Sequence, residues 1–228
     1  MPRGPSQSLL LGLLAALFVA AFLASLLVGP AGLPLSTAFQ ALFSNENPAA
    51  NLVMQEIRLP RAILAALIGG TLGLTGAVLQ GFLRNPLADP NILGISSSAA
   101  LGAVLVIYTG VSATFALALP LAAMAGALLA VMVIYALSGS HAGTLTLILA
   151  GLAISTFTGA MTTLVLNLSP NPYAALEIVY WMLGSLTDRS WTHVLLAAPF
   201  IIAGSLLLAL SARALDALTL GADVAASL

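Results

Sequence analysis

Hydrophobic positions in this chain come in long blocks, not at the short intervals of a water-exposed helix or strand. Six apolar stretches, each near the length that crosses a bilayer as a helix, are separated by short polar breaks. The predicted spans cover residues 8–29, 62–82, 93–109, 114–137, 145–167 and 193–211. Since backbone polar groups must be satisfied within a membrane, the pattern predicts an all-α fold, a polytopic transmembrane helical bundle.

The composition strengthens this prediction and excludes several classes of protein. The chain is 61% hydrophobic and 6% charged, whereas soluble domains are about 25% charged. A net charge of −1 offers no basic surface for nucleic acid. The lack of cysteine excludes disulfides and thiolate metal sites, and no carboxylate–histidine cluster lies within a span. We therefore predict no cofactor and no metal ion.

The first apolar stretch is too long for the core of a cleaved signal. It runs for about 20 residues from Leu9 to Val28, against about 7–15 for a signal core, so we expect a retained helix. Arginines fall equally on the two sides of a six-span chain, and the positive-inside rule does not decide the orientation.

Small residues recur every fourth position in two of the predicted spans. The second span carries Ala65, Gly69, Gly73, Ala77 and Gly81; the fifth carries Gly151, Ser155, Gly159, Thr163 and Asn167. Such stripes allow helices to approach closely, so tight helix contacts are predicted. The fifth stripe is polar enough to line a watery path, with packing alone as the alternative. Residues 36–47 predict a short surface helix with Phe39, Leu42 and Phe43 facing the bilayer.

Polar motifs flank the second span at both ends. Before it, Arg58 and Arg61 surround Pro60; anchoring at the membrane surface is the ordinary role of such arginines. After it, the segment "NPLADP" (85–90) predicts a stiff loop, because proline restricts itself and the preceding residue. Asp89 followed by Pro90 predicts a helix N-cap that starts the third span.

These motifs resemble those of a known family of permeases. The stretch from "RLPR" (58–61) through "GGTLGLTGAVLQGFLRNPLADPNILGISSSAALG" (69–102) is similar to permeases of ABC importers for iron–siderophores, haem and cobalamin, the FecCD family. The similarity continues through "HAGTLTLILAGLAIS" (141–155), "VYWMLGSL" (179–186) and "LTLGADVAASL" (218–228).

The resemblance implies an architecture and a set of partners. Residues 1–228 would form a single membrane-spanning permease domain in the bacterial cytoplasmic (inner) membrane. It would pair with a second permease subunit, two cytoplasmic ABC ATPase subunits and an extracytoplasmic solute-binding protein. The permease is then not an enzyme, since its partner hydrolyses ATP. Family members have about ten spans against the six predicted here, so we expect a fragment or a disrupted gene product.

The resemblance also implies roles for individual residues in moving a bulky iron chelate, haem or cobalamin. Arg58 and Arg61 match external arginines that pair with glutamates of the binding protein. The cytoplasmic gate would be formed by Asn85, Leu87, Gly143 and Thr144. Pathway-lining positions are Ser155, Gly159 and Thr163. The start of the coupling helix, within residues 212–228, would contact the ATPase through Leu220, Gly221, Ala225 and Leu228. In that segment Ala222 and Ala226 depart from the acidic residue and the arginine common in the family.

Three alternatives remain open. An ion-coupled secondary transporter usually carries charged residues in the middle of its spans, and the six predicted spans have none. An intramembrane serine protease is suggested by "GISSS" (94–98) and His141, but a nucleophile needs its base within hydrogen-bond reach. A purely structural membrane subunit is the third.

Overall fold

The computed structural model describes residues 5–44, 46–139, 143–212 and 215–217, and these residues form helices joined by short connections. The helices are α1 (Pro5–Leu27), α2 (Leu35–Gln40), α3 (Pro48–Asn51), α4 (Leu59–Leu83), α5 (Ile95–Tyr108), α6 (Ala118–Ser138), α7 (Thr144–Asn167), α8 (Pro172–Leu183) and α9 (Trp191–Leu210). A π-helical segment, Leu52–Arg58, joins α3 to α4. Short 3-10 helices occupy Pro90–Leu93 and Val111–Ala113. No strand occurs in these described ranges, and the predicted all-α fold is confirmed.

Each predicted span corresponds to one helix of the structure. Five of the described helices are long and apolar enough to cross a membrane, and the second of these is continuous from Pro48 to Leu83. The third span is the exception, because α5 has only 14 residues. At 1.5 Å per residue it extends about 21 Å, less than the roughly 30 Å of a bilayer's hydrocarbon core.

The outward surface of the spans is apolar. In α1, for example, Leu9, Leu13 and Leu17 are 66%, 60% and 66% exposed within the chain. Soluble proteins rarely expose apolar patches of this extent to water. This apolar surface is consistent with a multi-pass membrane protein.

One compact unit comprises the described residues of 1–73 and 186–211. Its core contains the end of α1, the short helices α2 and α3, the π-helical segment and the start of α4. The buried residues of this core are Leu26, Ala38, Ala41, Ala50, Met54 and Ala62. Four of them are alanines, so short helices pack closely here without large side chains between them.

The short helix predicted near residue 36 exists as α2, with one difference. Phe39 and Phe43 are 60% and 79% exposed, and their rings lie 5.5 Å apart between centroids. Leu42 instead packs against the core of its own unit, so the expectation that it faces the bilayer is wrong. It turns inward because Ala38 and Ala41, on the same side of the segment, are buried.

The second compact unit comprises the described residues of 74–185 and 212–217. In it α5 and α6 form an antiparallel pair in contact with α7, and α8 packs on α5 through Ile178, which is fully buried beside Val104 and Ile107. The sequence pattern did not predict α8. Its start is marked by Asn171, whose side chain accepts a hydrogen bond from the Ala174 amide at 2.9 Å, followed by Pro172.

Candidate functional site

The segment that carries the two arginines is a π-helix ending at a proline. Pro60 has no amide hydrogen. In an α-helix, its ring would also clash with the carbonyl four residues earlier. The chain adopts the wider π turn instead, and the Leu59 amide donates to the Met54 carbonyl, five residues back. Pro60 and Ala62 are buried, so the segment enters α4 in a fixed position.

Arg58 and Arg61 have different environments although they are three residues apart. Arg61 is exposed. Arg58 is only 7% exposed, and its Nη1 donates to the carbonyls of Leu26 at 3.3 Å and Leu27 at 2.7 Å. Its guanidinium therefore faces the end of α1 and not the solvent. Of the two predicted docking arginines, Arg61 is exposed and Arg58 is buried, and the docking role stays a prediction.

Two further hydrogen bonds fix the π-helical segment within its unit. Gln55 donates from Nε2 to the Ala41 carbonyl at 2.9 Å, which ties the segment to the end of α2. The Trp191 indole donates to the Gln55 carbonyl at 2.9 Å, which ties it to the first residue of α9. The Gln55 carbonyl is free to accept this bond because the Leu59 amide, which would be its partner in an α-helix, donates to the Met54 carbonyl instead. Sequence reasoning did not single out Gln55.

The loop after α4 is held by local hydrogen bonds, as the prolines predicted. The Asn85 side chain accepts from the Leu87 amide at 2.9 Å, and Asp89 accepts from the Asn91 amide at 2.7 Å. Leu87 is 83% exposed between these two turns, whereas Ala88 is buried. The predicted cap at Asp89 is present, but it caps the 3-10 helix Pro90–Leu93, and α5 begins only after Gly94.

The two predicted gate segments lie at the same end of their unit. A cavity of about 240 Å³ is lined by Leu83 at the end of α4 and by Leu147 and Ile148 near the start of α7. Asn85 and Leu87 follow Leu83 closely, and Thr144 is the first residue of α7 after its N-cap, Gly143. Gly143 and Thr144 are both exposed. Gating by these residues stays a prediction.

The stripe on α7 divides into two parts. Gly151 is buried, and a Cβ there would lie 2.8 Å from the Leu93 Cα. Ser155 is half-buried, with its amide close to Gly94. Gly159 and Thr163 are exposed, and the Thr163 hydroxyl donates to the Gly159 carbonyl at 3.0 Å. One part thus packs against the 85–94 loop, and the other leaves small and hydroxyl groups on an open face.

Comparison with known proteins gives this arrangement a family. The model of the FecCD transport family matches residues 17–228. The chain belongs to the FecCD transport family. It is 41% identical over 186 residues to the cobalamin import permease BtuC of Halobacterium salinarum, covering 77% of this chain and 49% of that protein. It is 38% identical over 226 residues to the ferric enterobactin permease FepD of Escherichia coli, covering 95% of this chain and 65% of that protein.

A solved structure shares the fold of the chain. It is described as an inward-facing conformation of a metal-chelate type ABC transporter, with a TM-score of 0.79 and 31% sequence identity. The match covers 96% of this chain and 67% of that one. The chain spans about half to two thirds of the length of the curated relatives it matches, from 49% of BtuC to 65% of FepD.

Sequence reasoning missed two glycines that allow α5 and α6 of this FecCD chain to pack closely. A Cβ on Gly102 of α5 would collide with the Ala122 carbonyl of α6, and a Cβ on Gly126 with the Ser98 carbonyl. The sequence signal is a small residue four positions before each glycine, which places both contacts on one antiparallel interface. The stripe on α4 shows the opposite behaviour, because nothing lies within 4 Å of a Cβ built on Gly69 or Gly73.

The serines of "GISSS" have structural roles in the FecCD fold. The Ser98 hydroxyl donates to the Gly94 carbonyl at 2.8 Å, and the Thr158 hydroxyl of α7 donates to the Ser97 hydroxyl at 2.9 Å. The first bond is local to the start of α5, and the second holds that start against α7. His141, the partner considered for a serine protease, lies outside the described residues.

The predicted ATPase contact lies in residues 218–228 of the sequence. Leu220, Gly221, Ala225 and Leu228 lie outside the described residues, so their coupling role stays a prediction from the resemblance. Among the residues that are described, no group of three or more His, Asp or Glu side chains could hold a metal ion.

Proposed function

We propose that the chain is part of a permease that moves a bulky metal chelate or cobalamin inward across the cytoplasmic membrane, driven by a partner ATPase. The observation that carries this proposal is the family match over residues 17–228, together with relatives named for cobalamin and ferric enterobactin. Since those relatives carry different cargoes, the proposal covers the class of substrate and not one compound.

The exposed guanidinium of Arg61 would receive the solute-binding protein. Arginine suits this task because its planar fork binds a carboxylate through two hydrogen bonds and keeps its charge at any physiological pH. The π-helical segment gives this side chain a rigid base, held by Gln55 and Trp191. We infer that glutamates or aspartates of the binding protein dock on Arg61 from outside the cell.

The opposite end of α4 would carry the gate. The 85–94 loop and the start of α7 border one cavity, and the exposed Leu87 lies at the tip of the loop. Small residues at Gly143 and Thr144 leave space for such a tip to close the path. Gly159 and Thr163 would line the pathway, where hydroxyl and backbone groups offer a large chelate only weak contacts.

Coupling to ATP would come through residues 212–228 and a pair of ATPase subunits, with a second permease completing the pathway. In this arrangement the permease performs no covalent chemistry. Binding-protein docking and ATP-driven closure of the nucleotide subunits would move the gate segments alternately.

An ion-coupled secondary transporter is the second candidate, because Arg58 is a buried cation at the end of the π-helical segment that leads into α4. Buried cations of this kind serve as coupling sites in secondary carriers. The hydrogen bonds from Arg58 to two backbone carbonyls at the end of α1 favour a structural role instead.

Uptake of radiolabelled ferric enterobactin and cyanocobalamin by cells that express the full-length permease with its operon partners tests the proposal. We expect uptake of one probe to require ATP, to be blocked by vanadate and to persist with a protonophore. Uptake that vanadate spares and the protonophore abolishes would support the secondary transporter. Reversal of Arg61 to glutamate should abolish uptake, whereas the nearby exposed Glu56→Gln, which shifts the charge the other way, should not reduce it.

A further inference from the structure

A groove of about 440 Å³ lies between α5, α6 and α7, and all its lining residues belong to the second compact unit. Small residues of the close α5–α6 contact form its floor, and larger apolar side chains form its rim. Floor residues include Gly102, Ala122 and Gly126; rim residues include Leu105, Leu129 and Phe157. Pockets that bind small molecules have volumes of about 300–1,000 Å³, so the groove is large enough for a ligand.

The groove lies on the side of α7 away from its open polar face. Gly159 and Thr163 belong to the open face, whereas Ile154 and Phe157 line the groove. Consecutive residues of an α-helix are rotated by about 100°, which places Ile154 and Phe157 about 140° and 160° from Gly159. The groove is therefore separate from the face that is proposed to line the pathway.

The lining of the groove suits a hydrocarbon ligand. Its polar side chains among the described residues are Ser98 and Thr158, and each is 6% exposed. The Ser98 hydroxyl donates to the Gly94 carbonyl at 2.8 Å, and the Thr158 hydroxyl lies 2.8 Å from the Ile154 carbonyl. Both hydroxyl protons thus have acceptors within the protein. The sequence also has no Asp, Glu, Lys or Arg between Asp89 and Glu177, so a charged ligand would find no partner here.

The groove lies at the depth of lipid tails. The 21 residues of α6 extend about 31 Å, close to the roughly 30 Å of a bilayer's hydrocarbon core. Ala122 and Val133 are the first and last α6 residues along the groove. They lie about 6 Å and 22 Å from the first residue of α6, away from both of its ends. Headgroups stay outside this depth, and acyl chains reach it.

The rim favours a flexible chain over another helix. Helices in a membrane approach one another closely where small residues face the partner. The small residues of this groove are already used, because a Cβ on Gly102 or Gly126 would collide with a carbonyl of the paired helix. Leu105, Leu129 and Phe157 are 43%, 57% and 62% exposed, so they would hold a further helix away from the floor. A hydrocarbon chain can lie between them.

The rim continues into the outward apolar surface of α6. Leu128 and Met132, which neighbour the rim on this helix, are 60% and 50% exposed. An empty groove would deprive its lining of dispersion contacts, so an apolar molecule that fills it stabilises the three helices. Because the groove opens onto a surface of this kind, the apolar molecule that can enter it is a membrane lipid.

We propose that the groove between α5, α6 and α7 holds one acyl chain of a bilayer phospholipid, selected by its tail and not by its headgroup. The bound chain completes the packing of the three helices. This inference goes beyond the proposed function, since it concerns a face of α7 that is distinct from the pathway and requires only that the chain lies in a membrane.

The test uses the full-length permease in nanodiscs of dioleoylphosphatidylcholine with a trace of phosphatidylcholine that carries a diazirine in the middle of one acyl chain. After irradiation, mass spectrometry locates the labelled residues. Ala125→Phe fills the groove, because Ala125 is an exposed residue of its lining. Ala136→Phe is the matched control, since Ala136 is exposed on the same helix but outside the groove. Both variants are first checked for a monodisperse peak in size exclusion.

We expect labelling to concentrate on Leu105, Leu129 and Phe157, to fall several-fold in Ala125→Phe and to be unchanged in Ala136→Phe. Unlabelled dioleoylphosphatidylglycerol should compete as well as dioleoylphosphatidylcholine, whereas dilauroylphosphatidylcholine should compete less. Labelling of the groove that is no greater than that of the exposed leucines of α1 would overturn the proposal. An unlabelled groove would also overturn it and would show that another helix of the assembled permease covers this face.

A second variant and a second readout keep the test valid if Ala125→Phe does not fold. Phe157→Ala removes one wall of the groove from an exposed position, so the fold should persist while labelling of Leu105 and Leu129 falls several-fold. In delipidated protein, added dioleoylphosphatidylcholine should raise the thermal midpoint of the unmodified permease more than that of Phe157→Ala. Equal labelling and equal midpoint shifts in the two proteins would contradict a bound chain.

Discussion

Two sets of small residues in this protein have opposite environments. On α5 and α6, Gly102 and Gly126 meet carbonyls of the facing helix so closely that a methyl group would not fit. On α4, nothing lies within 4 Å of a Cβ built on Gly69 or Gly73, two members of a longer stripe of small residues. The two sets look alike in sequence, since both have small residues four positions apart.

The difference teaches that small residues permit a close contact but do not specify its partner. In a membrane, helices associate through van der Waals contact and weak hydrogen bonds, because lipid tails are as apolar as leucine. The α5–α6 pair needs only a short turn to bring its small residues together. Gly69 and Gly73 of α4 have no such neighbour in the described chain, which spans 49–65% of two of its relatives.

The largest predicted effect comes from filling the closed interface. Gly126→Val would place a Cβ that carries two methyl groups against the Ser98 carbonyl, so the backbone would have to move. Overpacking of this kind costs about 1–3 kcal/mol or more. We expect most of the protein to be lost from the monodisperse peak in detergent size exclusion. Gly69→Val on the open stripe is the control and should keep the peak.

A second prediction separates collision from backbone strain at Gly94. This residue has a φ of 71°, and a Cβ would lie 2.7 Å from the Ser155 amide nitrogen. Gly110 has a φ of 75° but open space around it. Gly94→Ala should lower the thermal midpoint clearly more than Gly110→Ala, which carries only the left-handed penalty of about 1–2 kcal/mol. Equal shifts would mean that α7 does not pack closely on the 85–94 loop.

A smaller effect is expected from the hydroxyl bridge between α5 and α7. Thr158→Val keeps the shape of the side chain but removes the donor to Ser97. Interhelical hydrogen bonds in membranes are worth about 0.6 kcal/mol on average and at most about 1.7 kcal/mol. Thermal unfolding in detergent should show a loss in that range. Thr163→Val, which removes a hydroxyl from the open face of α7, should show a smaller one.

The smallest effect is expected on the open stripe of α4. Gly69→Ala adds a methyl group that meets no neighbour. In a soluble helix, alanine is more favourable than glycine by about 0.8–1.0 kcal/mol. The thermal midpoint should stay the same or rise slightly. A marked fall would show that a helix covers this face in the assembled protein.

Much of the fold could be predicted from the sequence because the membrane imposes length and apolarity on each span. The boundaries of α7, for example, agree with the predicted 145–167 to within one residue at its start. The helix α8 escaped prediction, since its 12 residues carry exposed tyrosines and a glutamate among apolar residues and resemble a polar break. Its Asn171–Pro172 start was the available signal.

The candidate site was less accessible to sequence reasoning. Arg58 and Arg61 are spaced to share a face of an α-helix, and nothing in their pattern indicates that one of them turns inward to α1. That outcome depends on the Leu27 carbonyl, 31 residues away in sequence, and on the space left by Gly29. The loop turns at Asn85 and Asp89 were predictable, because their hydrogen bonds are local.

The central claim is that the Arg61 end of α4 faces outward and that the "NPL" loop at its other end faces the cytoplasm. Single cysteines at Phe43 and Leu87, which are 79% and 83% exposed, test it in the cysteine-free chain. Intact cells are treated with a membrane-impermeant maleimide. The account predicts that Phe43→Cys reacts at once and that Leu87→Cys reacts only after the membrane is opened. Labelling of Leu87→Cys in intact cells, with Phe43→Cys protected, would contradict it.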